Sequence, residues 1–175
     1  MKRLGLLRHA KSDWDDLTLR DFDRGLNDRG RRGAKLMGDH IRDHGARWDL
    51  VLASPAQRVK RTLAASGLDV PVRFEEAIYL AESGTLMKLL QDLEEPDAVL
   101  LAGHNPGLQE LALDLVPAER EDALFAEVME KFPTAAFAVF ELAIDSWSEL
   151  TTGCGTLVHF ARPRDLDSAL GPDER

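Results

Sequence analysis

Three short segments of this 175-residue chain carry side chains that could together bind and attack a phosphoryl group. They are residues 6–10 (LLRHA), 54–58 (SPAQR) and 103–106 (GHNP), and each follows a short apolar run. Between them they supply two arginines, two histidines and two potential helix starts. Any one segment alone is weak evidence, but three in matching positions predict a single phosphate-binding site.

The four charged or titratable side chains divide naturally between binding and attack. Arg8 and Arg58 suit phosphate because a planar guanidinium donates two parallel hydrogen bonds to phosphoryl oxygens. His9 is adjacent to Arg8, and a neutral imidazole is a competent nucleophile near pH 7. We expect one nitrogen of His9 to attack phosphorus while the other donates to a backbone carbonyl. We expect His104 to donate to a phosphoryl oxygen and to stabilise the transition state.

The elements that must position these residues alternate between strand and helix. Apolar runs at 3–7, 49–53 and 98–102 predict strands, and the last reads as a central strand covered on both faces. Ligands of such sheets gather beyond the carboxyl ends of the strands, where all three segments lie. Ser54–Pro55 and Asn105–Pro106 each resemble an N-cap followed by proline at the first helical position.

The remaining pattern completes an α/β domain. Helical periodicity with a terminal glycine predicts a helix over 27–44, and late apolar runs predict two antiparallel strands. We expect a three-layer sandwich, with a mostly parallel central sheet and helices on both faces. Residues 1–164 form this domain, and the polar stretch 165–175 is expected to be a loose tail. The other predicted elements are an edge strand at 70–74, helices at 83–93 and 106–116, a helical insertion at 117–132, and the late strands at 135–142 and 156–161.

Composition excludes several classes of function. Lys and Arg total 22 against 31 Asp and Glu, a formal charge of −9, which disfavours nucleic acid as a partner. No apolar stretch reaches the roughly 18 residues that cross a bilayer, so we expect no membrane partner. Cys154 is the only cysteine, so no internal disulfide can form, and we expect a cytoplasmic protein.

No metal or other cofactor is predicted. His40 and His44 are four residues apart on the predicted helix, which is metal-ligand spacing. No third ligand is evident from the sequence, and a solvated helix face is the favoured reading. His159 alternates with apolar neighbours in a predicted strand and is interpreted as structural.

The three segments resemble the signatures of the histidine phosphatase (phosphoglycerate mutase-like) superfamily, and within it the SixA-type phosphohistidine phosphatases. Residues 7–10 match the Arg-His-Gly signature with alanine in place of glycine. Residues 54–58, followed by Arg61 and Thr62, match the second-arginine motif, and 103–106 match the second-histidine motif. Residues 24–30 (RGLNDRG) resemble the turn and helix start between the first two motifs.

This resemblance covers roughly residues 2–164. It implies that Arg8, His9, Arg58 and His104 form the catalytic quartet and that His9 is phosphorylated during turnover. Since the sequence shows no metal-binding cluster, we expect a metal-independent phosphatase.

Two further site residues are predicted on less evidence. Many superfamily members carry an acid between the second arginine and second histidine, and here Glu82 is the candidate, although it could equally be a carboxylate at a helix start. Arg24 is a candidate substrate-binding residue at the mouth of the site. A structural ion pair between Arg24 and Asp21 or Asp23 is an equal alternative.

The absence of a clear acid between the motifs favours one substrate class. An alkoxide leaving group needs a proton, whereas the nitrogen of an imidazole is far less basic. The sequence therefore favours hydrolysis of phosphohistidine in a phosphorylated protein. The alternatives are a phosphomonoesterase acting on a small phosphorylated metabolite and a non-catalytic phosphoprotein-binding module.

Overall fold

A computed structural model describes residues 1–171, which build one six-stranded sheet with helices on both faces. The spatial order of the strands is β3-β2-β4-β1-β5-β6. In chain order, the strands β1 to β6 are Lys2–Arg8, Leu50–Ala53, Val72–Phe74, Ala98–Gly103, Phe137–Leu142 and Gly155–Ala161.

The first four strands are parallel, and the last two add an antiparallel ribbon beside β1. All six residues of β4 are buried, since this strand pairs on both edges and is covered on both faces. Three-residue β3 closes one edge of the sheet and is exposed throughout. The predicted central strand, edge strand and late antiparallel pair are therefore confirmed.

Helices cover the two faces of the sheet and bury a separate apolar cluster on each. One face packs α1, α2 and the short α6, and the other packs α3, α4 and α5. The predicted three-layer α/β sandwich is thus confirmed. The helices α1 to α6 are Asp28–His44, Gln57–Ser66, Ser83–Gln91, Gly107–Leu115, Ala123–Glu130 and Pro163–Leu166.

Helix α1 shows how local sequence sets an element beside the site. Asn27 caps it by accepting a hydrogen bond from the Gly30 amide at 2.8 Å, and Gly45 ends it with a φ of 84°. Gly30 also allows the loop after His9 to approach α1. A Cβ atom at Gly30 would lie only 2.2 Å from the carbonyl oxygen of Lys11.

The two cap-and-proline signals begin their helices later than predicted. Helix α2 starts at Gln57, not Pro55, and α4 starts at Gly107 after a cis Asn105–Pro106 peptide bond. The Ser54 hydroxyl accepts from the Ala56 amide at 3.2 Å, which is a turn ahead of the helix rather than an N-cap. At α4, in contrast, the Asn105 side chain accepts from the Gln109 amide at 3.2 Å, so the predicted capping residue bonds the first turn although it lies one position before the N-cap, Pro106.

The predicted loose tail is wrong as far as Gly171. Residues Pro163–Leu166 form a helical turn, in which Asp165 bonds both the backbone and side chain of Arg162. A second turn follows and buries Leu170, which gives this polar stretch an apolar anchor. The rest of the predicted tail, 172–175, lies outside the described residues. Within residues 1–171, no helix has both the length and the apolar character to cross a bilayer.

A cluster of three histidines joins α1 to β6. His40 Nε2 lies 2.8 Å from His159 Nε2, and the rings of His44 and His159 stack with centroids 4.2 Å apart. Burial and the two neighbouring imidazoles lower the pKa of His159 to about 4. Among the residues that the structure describes, no group of three or more potential ligands is arranged to hold a metal ion.

This cluster makes stability depend on pH. The pKa of His159 is lowered in the folded chain, so the unfolded chain takes up its proton first as pH falls from about 6.5 toward 4. We expect unfolding free energy to fall between pH 7 and 5, and His159→Gln to remove about 1 kcal/mol of that fall after allowance for partial exposure. Urea unfolding of the parent protein and of His159→Gln at pH 7 and pH 5 measures the loss of unfolding free energy in each. Equal losses would show that the cluster does not titrate in this range.

Candidate active site

The sheet register brings the three predicted segments to one edge. Arg8 at the end of β1 is opposite Gly103 at the end of β4, and the His9 amide donates to the Gly103 carbonyl at 3.1 Å. On the other side of β4, the Ser54 amide donates to the Ala102 carbonyl at 3.1 Å. The carboxyl ends of β1, β2 and β4 therefore place Arg8, His9, Ser54 and His104 side by side.

His9 is held as a neutral imidazole with one defined nucleophilic nitrogen. Its Nδ1 lies 2.8 Å from the carbonyl oxygen of Ala10. Since a carbonyl can only accept, Nδ1 carries the hydrogen and Nε2 keeps its lone pair. Burial, together with the charges of Arg8 and Arg58, lowers the pKa of His9 to about 3. His9 is thus unprotonated and available for attack at neutral pH.

Arg58 is buried and binds two neighbouring side chains. One guanidinium nitrogen, Nη1, donates to the Asp21 carbonyl at 2.8 Å, and Nη2 donates to the Asp21 carboxylate at 3.0 Å. Nη2 also lies 3.3 Å from His104 Nδ1. The side chain of Arg58 is only 5% exposed, so this network fixes a permanent positive charge in the wall of the site.

His104 is fixed between Ser54 and Arg58. Because Arg58 can only donate, Nδ1 of His104 is an acceptor, and Nε2–H donates to the Ser54 hydroxyl at 2.8 Å. Burial, followed by the charge of Arg58, lowers the pKa of His104 to about 4. The rings of His9 and His104 have centroids 5.4 Å apart, so the two imidazoles are direct neighbours, although His9 lines the pocket beside them and His104 does not.

An open pocket lies over these groups. Arg8 lines it and is braced by a bond from its Nη1 to the Phe132 carbonyl at 3.1 Å. Among the described residues, the pocket wall contains four cationic or imidazole side chains and one carboxylate. The lining residues are Arg8, His9, Lys11, Ser12, Trp14, Asp21, Arg58 and Thr134. Such a pocket can bind a dianion and present an unprotonated imidazole to it.

Thr62 connects the His9 loop to the helix that carries Arg58. Its hydroxyl accepts from the Ala10 amide at 2.8 Å and donates to the Arg58 carbonyl at 2.6 Å. Both Thr62 and Ala10 are buried. The Thr62 side chain therefore sets the position of the His9 loop relative to Arg58.

We expect Thr62→Val to lower stability and activity together. Valine matches the shape of threonine but leaves the buried Ala10 amide without an acceptor, which costs about 1–3 kcal/mol. Thermal unfolding and phosphatase assays on the same preparations measure both effects. Thr62→Ser keeps the hydroxyl and should restore most of both. Full activity in Thr62→Val would refute the positioning role.

Two predicted site residues lie elsewhere. Glu82 is exposed at the start of α3, makes no side-chain cap bond, and does not line the pocket.

Arg24 is buried behind the 13–19 loop, where it donates to the carbonyls of Asp13, Asp16 and Leu19 and stacks on the ring of Trp14 at 4.0 Å. Neither alternative ion pair forms, because Asp23 pairs with Arg20 and Asp21 with Arg58. Arg24 thus supports the loop instead of facing a substrate.

Asp21 and Tyr79 belong to the site but were not predicted for it. Asp21 lines the pocket and accepts hydrogen bonds from both Arg58 and the Tyr79 hydroxyl. The Tyr79 ring packs edge-on against His104 with centroids 5.4 Å apart. No sequence signal singles them out, since Asp21 lies in a charged stretch and the 21–58 contact spans 37 residues.

Comparison with known proteins assigns the chain to a family. Residues 4–111 match the histidine phosphatase superfamily (branch 1). An uncharacterised protein of Mycobacterium tuberculosis is 39% identical over 160 residues, which is 90% of this chain and 100% of that protein. A chloroplastic protein of Arabidopsis thaliana is 31% identical and is matched over 85% of this chain and 70% of its own length.

Solved structures show the same relationship. A protein of Agrobacterium tumefaciens assigned as a SixA phosphohistidine phosphatase has a TM-score of 0.78 at 31% identity, over 93% of this chain and 98% of that chain. A protein of Nakamurella multipartitia with the same assignment has a TM-score of 0.83 at 27% identity, over 93% and 96%. The protein histidine phosphatase SixA bound to tungstate shares the fold, with a TM-score of 0.74 at 23% identity, over 94% and 99%. The chain therefore belongs to branch 1 of the histidine phosphatase superfamily, and within it to the SixA-type proteins.

Proposed function

We propose that this protein hydrolyses phosphohistidine in phosphorylated proteins through a covalent phosphohistidine on His9. One observation carries the proposal. His9 is a neutral imidazole in the same pocket as Arg8 and Arg58, and because its Nδ1 bonds the Ala10 carbonyl, its Nε2 keeps a lone pair for attack. The reaction needs no metal in this scheme, because the two guanidinium groups supply the positive charge that phosphoryl transfer requires.

The proposed reaction has two steps. Arg8 and Arg58 bind the phosphoryl oxygens, and His9 Nε2 attacks phosphorus as the leaving group departs on the opposite side. Water then attacks the phospho-His9 and releases phosphate. The bound dianion would favour proton uptake at His104 Nδ1, which then gives up the hydrogen bond that it accepts from Arg58 Nη2 and donates to a phosphoryl oxygen instead.

A protein substrate is supported by the surroundings of the pocket. The loop beside it carries Trp14, Leu17 and Leu19 with exposed fractions of 51%, 77% and 41%. Large apolar side chains exposed together are typical of interaction surfaces. On the other side, Lys11 and Thr134 continue into a groove that is also lined by Arg29, Lys131 and Arg164. The single cysteine fits a protein that works in the reducing cytoplasm.

The nature of the leaving group is supported by what lines the pocket. Within residues 1–171, the only carboxylate in the pocket wall is Asp21, and its bonds to Arg58 and Tyr79 keep it ionised. An ionised carboxylate has no proton to give to an alkoxide. A P–N bond, in contrast, can break without a proton donor at the leaving atom.

Kinetics on matched substrates test the proposal. A protein phosphorylated on histidine should be hydrolysed with a kcat/KM about 100-fold above that of sugar phosphates. Faster hydrolysis of sugar phosphates would favour a small-molecule phosphomonoesterase. Binding without hydrolysis of any phosphorylated substrate would favour a phosphoprotein-binding module.

A further inference from the structure

Asp21 lines the phosphoryl pocket, and only one of its two carboxylate oxygens is bonded to its partners Arg58 and Tyr79. That oxygen, Oδ2, accepts both hydrogen bonds, from Arg58 Nη2 at 3.0 Å and from the Tyr79 hydroxyl. In the described part of the chain no donor is bonded to Oδ1. The side chain is 44% exposed and lines the pocket, so Oδ1 can accept a hydrogen bond from a bound ligand.

The carboxylate is fixed in place and ionised. Partial burial alone would raise the pKa of Asp21, but the hydrogen bonds from Tyr79 and Arg58 outweigh it and hold that pKa below its usual value. Asp21 lies in the wall formed by Arg58, Tyr79 and His104. In-line attack by His9 places the leaving group across the phosphorus atom from His9.

Phosphohistidine has a particular requirement as a leaving group. One ring nitrogen carries the phosphoryl group, and the other can carry a proton. With that proton the ring departs as neutral imidazole, and without it the ring departs as the far more basic imidazolate. A negative charge that accepts a hydrogen bond from the second nitrogen therefore favours the form that leaves.

We propose that Asp21 accepts a hydrogen bond from the phosphate-free ring nitrogen of a substrate phosphohistidine and thereby selects P–N over P–O substrates. This assignment rests on the proposed function. In the step, the His9 Nε2 lone pair forms the new P–N bond, and the pair from the old bond returns to the departing ring nitrogen. The proton stays on the other nitrogen of each ring, against Asp21 in the substrate and against the Ala10 carbonyl in His9.

Asp21→Asn tests the assignment, because it removes the charge and keeps the shape. We expect hydrolysis of a histidine-phosphorylated protein to fall about 30-fold. Hydrolysis of p-nitrophenyl phosphate, whose leaving group needs no proton, should fall much less, by about threefold, because the residue-21 backbone carbonyl and the Asn amide oxygen can still accept from Arg58 while the ion pair is lost. The deficit on phosphohistidine should grow from pH 6 to pH 8, since the ring then depends more on the carboxylate to keep its proton.

Asp23→Asn is the matched control, because Asp23 lies in the same turn and pairs with Arg20 away from the pocket. It should leave both activities near those of the parent. Equal losses on both substrates in Asp21→Asn would overturn the inference and make Asp21 a residue that only positions Arg58. No loss on either substrate would also overturn it. A parent protein that hydrolyses p-nitrophenyl phosphate but not phosphohistidine would overturn the proposed function itself.

Discussion

Replacing His9 by alanine should lower phosphatase activity by about 10 000-fold or more, because it removes the atom that attacks phosphorus. His9 Nε2 is the nitrogen left with a lone pair once Nδ1 donates to Ala10. No second imidazole can replace it, since both nitrogens of His104 are bonded, to Ser54 and to Arg58. Steady-state assays on a histidine-phosphorylated protein and on p-nitrophenyl phosphate measure the loss.

The same variant should still bind phosphate analogues. Arg8 and Arg58 remain in place, so titration with tungstate should give a dissociation constant within about tenfold of the parent value. This retained binding separates a chemical defect from a folding defect. Activity within about tenfold of the parent would exclude His9 as the nucleophile.

Replacing Arg58 by alanine should produce the second-largest loss, about 1000-fold in kcat/KM. The guanidinium is buried and aligned by Asp21, so its charge is present before substrate arrives. Arg58→Lys keeps the charge but not the two parallel donors, and we expect a loss of about 100-fold. Tungstate binding should weaken in both variants, in contrast to His9→Ala.

Lys60→Ala is the matched control for Arg58. Lys60 lies two residues further along α2, is exposed, and packs over the ring of Phe74. Its removal should leave kcat/KM and tungstate binding unchanged. If Lys60→Ala and Arg58→Ala weaken tungstate binding equally, the positive charge of the surface in general attracts the anion, and Arg58 makes no specific contribution.

The position of the site could be predicted from the sequence because strand ends determine it. Arg8, Ser54 and His104 each follow an apolar run, and parallel strands bring such ends to one edge of a sheet. Helix α1 is equally predictable, since Asn27 and Gly45 are local start and stop signals whose partners lie within four residues.

The sequence could not predict which way individual side chains near the site point, because their directions depend on contacts made only in the folded chain. Arg24 was expected to face the substrate, but its direction is set by three carbonyl groups of a loop that has no periodic pattern. The interval between the second and third motifs favours Glu82 as the acid, but Glu82 is exposed at the N-cap of α3 and does not line the pocket. Asp21 was missed as a pocket residue because only the folded chain shows that its partners are Arg58 and Tyr79.

A crystal structure with tungstate bound tests the central claim most directly. We expect one anion in the pocket, with its metal centre in line with His9 Nε2 and its oxygens bonded to both Arg8 and Arg58. An anion that contacts neither arginine, or one seated away from His9, would contradict the assignment of this pocket as the phosphoryl site.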